Sequence, residues 1–331
     1  MKKIFVGFNN VAGYATRLKK GFESAGVKAD VFVEGSHVFD YSLTGIKKYN
    51  LPKSRWMQRI YTRLFFLKCL FKYDAFLFIS TQTFIKGYTD LKILRYFRKR
   101  TAMIFTGCDV QQPEATFRDD IPYSSCHNCK VEYKKFVGCY PETKKLRTKK
   151  IEGLIDIIMN DRAIVGVLSR ESFHINQPIN IEDFPETIDH PDNPKPVILH
   201  APSNYGYKGT DYLIQAIERL KGEFDFEFRL VNNVSLKTLY QEIEKADLVV
   251  DQLIQGWFGM LPLEAMMYEK PVICYLRDDV QKAQPSDNPM INASPATVYE
   301  VLRRMLQDTS NWKETGKAGR RYVIKYHEAS L

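Results

Sequence analysis

Three side chains in this sequence have the chemistry and the setting to bind a charged, hydroxyl-bearing ligand: Lys208, Glu264 and Asp109. Lys208 precedes a predicted helix, where its cation and the oriented backbone amides together favour a pyrophosphate. Glu264 lies one turn into a second predicted helix, after a loop that contains Gly256 and Gly259. Its carboxylate can accept hydrogen bonds from neutral sugar hydroxyls. The pair therefore predicts a nucleotide site.

The glycine loop belongs to a predicted strand–loop–helix–strand unit. A short apolar run ends at Asp251, a helical pattern starts near Leu261, and the apolar run 271–275 follows. This order is typical of one βαβ step, in which the loop lies at the carboxyl end of a strand and the start of a helix. A core helix with a glycine-containing turn is the alternative interpretation.

Lys208 has a similar setting in the preceding unit. Residues 196–200 predict a strand, and a helix runs from Thr210, a good N-cap, to about Lys221. A strand over 226–231 and a helix over 235–245 come next. Taken alone, Lys208 also fits a solvated lysine at a helix start.

Asp109 follows one of several predicted strands in the first half of the chain. Strands are predicted over 3–8, 74–79 and 101–105, and a helix followed by a strand at 163–168 is predicted over 151–168. Ligands of open α/β sheets bind at the carboxyl ends of strands. Asp109 is therefore a candidate base or orienting group at a ligand site, and a turn residue is the alternative.

The segment from Gly256 to Ile273 resembles the donor-binding segment of GT-B glycosyltransferases of the family-4 type, which are retaining enzymes. It reads Gly-Trp-Phe-Gly-x-x-Pro-Leu-Glu-Ala-Met and then Glu-Lys-Pro-Val-Ile. The resemblance implies a GT-B fold, two Rossmann-like domains facing a central cleft. It implies that Lys208 meets the donor phosphates and Glu264 the donor ribose. The element Thr106-Gly-Cys-Asp109 resembles the Gly-x-Asp or Gly-x-Glu of related transferases, which implies that Asp109 is an acceptor-side base or orienting group. The family's first glutamate falls on Gly256, and its usual arginine falls on Ser203.

The same resemblance implies the domains and the donor contacts. It places an acceptor domain at 1–175, a nucleotide-sugar domain at 176–310, and a helix returning to the first domain at 311–331. Further donor contacts fall on loop and helix-start positions: Gly13, Ser203, Asn232, Val234, Gly256, Phe258, Gly259, Met260 and Leu261.

A cysteine-containing insertion at about 108–145 interrupts the α/β rhythm. Cys126 and Cys129 form a C-x-x-C pair, and Cys139 follows. With Cys108 or His127 as a fourth ligand, this spacing predicts a structural zinc site. Unbound cysteines or a redox pair are the alternatives. The resemblance implies that catalysis needs no metal or other cofactor.

Charge is unevenly distributed along the chain. Residues 1–175 hold 31 basic and 16 acidic residues, whereas residues 176–331 hold 17 and 23. In the basic half, residues 54–73 predict an amphipathic helix whose apolar face runs from Trp56 to Phe71 between arginines and lysines, and a second basic cluster spans 92–100. Such a helix can lie in a membrane interface. Packing of its apolar face on its own domain is the alternative.

No apolar run reaches the length of a membrane span, and the start predicts no signal peptide. We therefore expect a cytoplasmic protein, peripheral on the inner face of the cell membrane. The predicted function is sugar transfer from a nucleotide-sugar to a saccharide or lipid-linked saccharide in cell-surface polysaccharide or glycolipid assembly. A nucleotide-sugar sensor without catalysis is one alternative. A basic nucleic-acid-binding protein is another, although no nucleic-acid-binding motif is present and nucleic acid is not an expected partner.

Overall fold

The chain forms two compact units. The computed structural model describes residues 2–34, 45–127, 129, 139–160 and 168–330. Unit 1 comprises Met1–Ala115, Lys135–Pro178 and Ala329–Leu331, and unit 2 comprises Thr116–Lys134 and Ile179–Glu328. The division after Pro178 lies close to the predicted boundary at 175–176. Thr116–Lys134, part of the insertion expected in the first domain, belongs to unit 2.

A seven-stranded parallel sheet forms the centre of unit 1. Its strands are β1 (Lys3–Phe8), β2 (Lys28–Glu34), β3 (Lys47–Tyr49), β4 (Ala75–Ile79), β5 (Arg100–Phe105), β6 (Ile157–Asn160) and β7 (Phe173–His174). Their order in space is β3-β2-β1-β4-β5-β6-β7, and all the neighbouring pairs run parallel. The order reverses between β1 and β4, which is where open α/β sheets bind ligands at their carboxyl edge.

Helices cover this sheet and bury its apolar strands. They are α1 (Tyr14–Ser24), α2 (Arg55–Lys72), α3 (Thr89–Tyr96) and α4 (Pro141–Glu152). Strands β1, β4 and β5 are nearly continuous apolar runs, as expected of strands covered on both faces. One core cluster of the unit is rich in aromatic side chains, among them Phe5, Phe8, Phe76, Phe78 and Phe84.

The helix predicted from residue 151 to the strand at 163–168 is wrong over the described residues 153–160. The helix α4 ends at Glu152, and Ile157–Asn160 forms β6, which pairs with β5. The run Ile157-Ile158-Met159 is short and β-branched, and tertiary pairing with a central strand decides its conformation. The predicted strand at 163–168 lies outside the described residues except for Leu168.

The amphipathic helix α2 does not bury its apolar face in unit 1. Its buried residues are Phe66, Cys69 and Leu70, on the other side of the helix. Trp56, Leu64 and Phe71 are 69%, 63% and 72% exposed, so the alternative in which this face packs on its own domain is wrong. Within the ranges described, no helix combines the length and the apolar character needed to cross a bilayer.

A five-stranded parallel sheet forms the centre of unit 2. Its strands are β8 (Val197–His200), β9 (Glu227–Leu230), β10 (Leu248–Val250), β11 (Val272–Cys274) and β12 (Ile291–Asn292), in the spatial order β12-β11-β10-β8-β9. The helices are α5 (Tyr205–Lys208), α6 (Thr210–Leu220), α7 (Leu236–Lys245), α8 (Met260–Met267), α9 (Asp278–Lys282), α10 (Val298–Gln307) and α11 (Trp312–His327).

The long helix α11 packs on α8 through glycines. A Cβ atom at Gly316 would lie 1.8 Å from the carbonyl oxygen of Glu269, and one at Gly319 would lie 2.7 Å from Cγ of Met266. Only glycine permits so close an approach. The helix α11 belongs to unit 2, and the residues after Glu328 belong to unit 1.

Candidate functional site

The candidate site lies at the carboxyl edge of the unit 2 sheet, where the strand order reverses. Strand β8 has β9 on one side and β10 on the other, so the loops after β8 and β10 diverge at the switch point. Lys208 follows β8, and the glycine loop follows β10. The segments that carry Lys208 and Glu264 therefore both begin at the carboxyl edge of this sheet, as the sequence predicts.

Lys208 is held by an acidic residue at this switch point. Its Nζ lies 2.8 Å from Oδ1 of Asp251, the residue that follows β10. The lysine side chain is 11% exposed and the aspartate side chain 1% exposed. The other oxygen of Asp251, Oδ2, is buried and has no hydrogen-bond partner in the described part of the chain. The Lys208 ammonium therefore pairs with a buried carboxylate and is itself more exposed than its partner.

The backbone around Lys208 explains its position. The side chain of Asn204 accepts a hydrogen bond of 2.9 Å from the Tyr207 amide and so caps the one-turn helix α5. Gly209 ends that helix with φ of 75°, a left-handed conformation that glycine adopts without strain. The carbonyl of Lys208 accepts from the Leu253 amide at 2.9 Å, which ties this turn to the loop after β10.

His200, the last residue of β8, links β8 to the end of β10 and to the start of α6 by hydrogen bonds. Its Nδ1 lies 2.8 Å from the carbonyl oxygen of Val250, so Nδ1 carries the proton, and Nε2 accepts from the Thr210 hydroxyl at 2.9 Å. Burial lowers the pKa of His200 to about 4, which keeps the ring neutral at pH 7. Thr210 is therefore not the predicted N-cap: Gly209 occupies that position, and the Thr210 hydroxyl binds His200 instead.

The loop after β10 is braced by the side chain of Gln252. Its Nε2 donates to the carbonyls of Trp257 and Tyr275, at 2.6 and 2.7 Å, and its Oε1 accepts from the Gln255 amide at 2.5 Å. Gly256 has φ of 74°, and a Cβ there would lie 3.0 Å from Cβ of Arg277. A glutamate at this position, as in the family pattern, would be strained in this backbone.

The glycine loop delivers the chain to the start of α8 beside Lys208. Gly259 is the N-cap of α8, and no side chain of the described residues caps the helix, so a ligand can reach the first amides. The Nζ of Lys208 lies 3.6 Å from the position of a Cβ at Gly259. A lysine cation and the amide end of a helix thus meet at one point, an arrangement that suits a phosphate group. Met260 and Leu261 open the helix and are largely buried.

Glu264 is a buried carboxylate inside α8. It is 3% exposed, and the hydroxyl of Tyr240 donates to its Oε1 at 3.3 Å. The ring of Tyr240 lies 5.5 Å from Phe184 and 5.6 Å from Tyr268, so Glu264 borders an aromatic cluster. Phe258, on the other side of the loop, is fully buried and stacks on Trp257 at 4.4 Å. Its side chain packs within the loop, and its predicted donor contact stays a prediction.

The loop after β9 adds a buried acceptor. Oδ1 of Asn232 is buried and has no hydrogen-bond partner among the described residues. Val234 is half-buried in the same loop, and Ser235 caps α7 through its hydroxyl. Ser203, which follows β8, is exposed. These positions share the carboxyl edge of adjacent strands with Lys208.

Besides two of the predicted zinc ligands, Gly13 and Asp109 belong to unit 1. Gly13 precedes α1 with φ of 76°, while Oδ1 of Asn10 accepts from the Ala15 amide at 2.9 Å and caps that helix. The carboxylate of Asp109 accepts from the Thr106 amide at 3.2 Å, which is the geometry of a turn residue. The donor role of Gly13 and the acceptor-side role of Asp109 stay predictions.

The predicted zinc ligands are divided between the units. Cys108 and Cys139 belong to unit 1, whereas Cys126 and Cys129 belong to unit 2. Lys144 donates to the sulfur of Cys139 at 3.2 Å, and the alternative ligand His127 hydrogen-bonds the Thr116 carbonyl at 2.9 Å. Across the described ranges, no three His, Cys, Asp or Glu side chains group as metal ligands. The zinc site stays a prediction.

Sequence reasoning missed three groups that shape this site: Asp251, Gln252 and Tyr240. The signal for Asp251 was present, because an acidic residue directly after a buried strand lies at the ligand-binding edge of a parallel sheet. Nothing in the local sequence indicated that its carboxylate would meet Lys208, because the two are 43 positions apart and only strand order joins them.

Comparison with solved structures places this architecture in a known fold. Sucrose-phosphate synthase from Thermosynechococcus elongatus matches 99% of this chain and 95% of its own, with a TM-score of 0.66 at 14% identity. HepE from Anabaena, solved with UDP-glucose, matches 99% of this chain and 96% of its own, with a TM-score of 0.65 at 13% identity. A glycosyltransferase from Rickettsia africae matches 99% of this chain and 94% of its own, with a TM-score of 0.63 at 12% identity.

The fold of this chain is therefore the GT-B fold, and that prediction is confirmed. No family model matches the chain, and no curated protein matches it. The assignment to the family-4 type stays a prediction.

Proposed function

We propose that this protein is a glycosyltransferase that takes a sugar from a nucleotide-sugar donor. The observation that carries the proposal is the meeting of Lys208 with the start of α8 at the switch point of the unit 2 sheet. The GT-B fold supports it, because proteins of this fold include HepE solved with UDP-glucose and a Rickettsia glycosyltransferase.

Each residue of the site has a role in this proposal. The Lys208 ammonium and the amides at Gly259 to Leu261 hold the diphosphate, and they stabilise the charge that develops on it as the sugar departs through an oxocarbenium-like state. Glu264 accepts hydrogen bonds from the ribose hydroxyls. The loop at Asn232 and Val234 receives the base, with the unpaired Oδ1 of Asn232 as an acceptor.

Asp251 is a positioning residue in this scheme. It holds the Lys208 ammonium 2.8 Å away at the place where the diphosphate binds, so the lysine is oriented before the ligand arrives. The diphosphate then shares this ammonium with Asp251, which stays paired. Retention of the sugar's anomeric configuration is part of the proposal through the resemblance to family-4 enzymes alone.

The acceptor side of the proposal belongs to unit 1. We place the acceptor, a saccharide or a lipid-linked saccharide, at the carboxyl edge of the unit 1 sheet, with Asp109 as the candidate group that orients or deprotonates its hydroxyl. The exposed apolar face of α2 and its flanking basic residues favour binding to the inner face of the cell membrane. There the enzyme would transfer sugar in polysaccharide or glycolipid assembly. No metal or other cofactor enters this mechanism.

Titration with a panel of nucleotide-sugars, followed by an assay of sugar release and transfer, tests the proposal. We expect one nucleotide-sugar to bind at micromolar to millimolar concentration and to be turned over. Binding without any turnover in the presence of saccharide acceptors would favour the sensor, which the glycine at position 256 supports. Absence of binding to every nucleotide-sugar would refute the proposal.

A further inference from the structure

Unit 1 contains a large cavity at the carboxyl edge of its sheet. Its volume is about 1020 Å³, enough for a saccharide with a charged substituent. Phe8, Glu34 and Tyr49, the last residues of β1, β2 and β3, line it. The loop after β4 and the first half of α2 complete its wall. The cavity thus occupies the position in which open α/β sheets bind ligands.

The lining of this cavity is strongly basic. Five cations line it: Arg55, Arg59, Arg63, Lys86 and Arg147. Glu34 is the one carboxylate among the described lining residues, and the Gln82 side chain donates to it. Within the described chain, none of the five cations forms an ion pair with a carboxylate. Four of the five are exposed, so solvent screens their mutual repulsion, and the excess of positive charge acts mainly by attracting an anionic ligand.

Arg147 gives the sharpest sign of a missing partner. Its Nη2 donates to the carbonyl oxygen of Asp109 at 2.6 Å, which fixes the guanidinium at the cavity wall. Its Nε is buried and has no hydrogen-bond partner in the described chain. Leaving a buried donor unpaired is unfavourable, and a guanidinium pairs best with a planar or tetrahedral oxyanion that accepts two hydrogen bonds.

We propose that this cavity binds a phosphate ester or diphosphate group carried by the acceptor. The inference rests on the proposed transferase function and specifies its acceptor. A phosphate group carries up to two negative charges and a diphosphate carries more, which suits five cations better than the single charge of a sugar carboxylate. Arg59, Arg63 and Arg147 hold the oxyanion, and the polar wall of Thr62, Thr81 and Thr83 is left for sugar hydroxyls.

The helix α2 relates this site to the exposed apolar surface. Arg55, Arg59 and Arg63 recur at steps of four along one edge of the helix, and the cavity lies on that edge. Ile60 and Leu64, which are 43% and 63% exposed, directly follow two of these arginines. A phosphate group bound here would lie next to a surface suited to lipid, as in a lipid-linked acceptor. A water-soluble sugar phosphate presents the same charged group.

The test uses inorganic pyrophosphate, geranyl diphosphate and glucose 1-phosphate as probes in calorimetric titrations. Because pyrophosphate also suits the donor site, the background is the double variant Lys208→Met/Asp251→Asn. In that background we expect pyrophosphate to bind, and Arg59→Gln/Arg63→Gln to weaken it roughly tenfold or more. The matched control is Lys68→Gln/Lys92→Gln, which removes two charges from exposed positions outside the cavity and leaves binding unchanged.

The outcomes separate this inference from the proposed function. If no pyrophosphate binds in the background variant, or if the arginine pair weakens binding no more than the control pair, the cavity is not a phosphate site. Nucleotide-sugar binding by the wild type is unaffected by either result. Tighter binding of geranyl diphosphate than of pyrophosphate and glucose 1-phosphate assigns the phosphate to a lipid, and tighter binding of glucose 1-phosphate than of the other two assigns it to a soluble ester.

Discussion

Lys208 and Asp251 form a buried ion pair, and under the proposed function the pair serves phosphate binding rather than net stability. Desolvation of two charges offsets most of their attraction, but removal of one partner leaves a buried charge and costs about 3–5 kcal/mol. A single substitution at Lys208 would therefore confuse lost binding with lost folding. Neutralising both, as in Lys208→Met/Asp251→Asn, removes the phosphate cation and leaves no uncompensated buried charge.

Glu264 gives a prediction that separates ribose from phosphate recognition. The variant Glu264→Gln keeps the size of the side chain and removes its charge. Hydrogen bonds to a charged group are worth about 1.5–3 kcal/mol, so we expect nucleoside diphosphate to bind roughly tenfold or more weakly. Pyrophosphate has no hydroxyls for Glu264, so its affinity should stay unchanged. Calorimetry with both ligands checks this, and equal losses for the two would contradict the assignment to ribose.

Sequence predicted the residues that a local motif carries and missed those that only the tertiary fold brings in. Lys208 lies two residues before the helix α6 and Glu264 lies one turn into α8, and at such positions a short pattern indicates an anion or hydroxyl site. Asp251 and Tyr240 reach the same place from other segments. Thr210 shows the reverse: local propensity predicted an N-cap, but the Thr210 hydroxyl hydrogen-bonds the buried His200 instead.

At the scale of elements, the end of β8 predicts an acid-sensitive fold. Burial lowers the pKa of His200 from 6.5 to about 4, so the unfolded chain binds this proton more readily. The contribution of His200 is fully present above pH 6.5 and is lost as pH falls toward 4, a change of roughly 3 kcal/mol.

Urea unfolding of the wild type and His200→Asn, measured between pH 7 and 4, checks this expectation. The variant keeps a donor for the Val250 carbonyl but cannot titrate, so its stability should fall less steeply over this range. Parallel pH profiles for the two proteins would show that His200 does not titrate as the structure indicates.

The close contact between α8 and α11 predicts that Gly316 cannot be replaced even by alanine without a loss of stability. In Gly316→Ala the added Cβ would overlap the Glu269 carbonyl, and overpacking of this kind costs about 3 kcal/mol or more. Gly222→Ala is the matched control, since its Cβ meets only the Arg219 carbonyl oxygen, at 3.6 Å. Thermal unfolding should show a large loss for the first and little change for the second. Similar melting temperatures would mean that the helices are not packed this closely.

The elements themselves were largely predictable, because their patterns are local. Apolar runs located β1, β4, β5, β8, β9 and β10, and glycine and helical spacing located α6 and α8. The strand β6 was missed because a short apolar run fits a helix end as well as a strand, and pairing with β5 decides between them. The one-turn helix α5 was missed because it is too short for periodicity.

At the scale of the whole molecule, the charge asymmetry and the exposed face of α2 predict binding to anionic membranes. We expect the protein to sediment with vesicles that contain phosphatidylserine at low salt and to be released as salt screens the basic residues. Phe71→Ser removes an exposed aromatic side chain and should reduce partitioning roughly tenfold, from about 1.5–3 kcal/mol of lost burial in the membrane.

Phe173→Ser provides the control for this experiment, because Phe173 is 62% exposed but lies in β7, away from the basic helix in the sequence. It should leave partitioning unchanged. If both variants bind vesicles as the wild type does, the exposed face of α2 has another role. The sequence predicted this helix and its charges, but its helical pattern alone did not show which face is buried.

The central claim is that Lys208, at the switch point of the unit 2 sheet, binds the diphosphate of the donor. Its most direct test is the dissociation constant of UDP, measured by calorimetry for the wild type, for Lys208→Met/Asp251→Asn, and for Lys221→Met/Glu218→Gln, which removes an exposed ion pair on α6. The account predicts binding at least roughly tenfold weaker for the first pair and unchanged for the second. UDP binding of wild-type strength in both variants would contradict it.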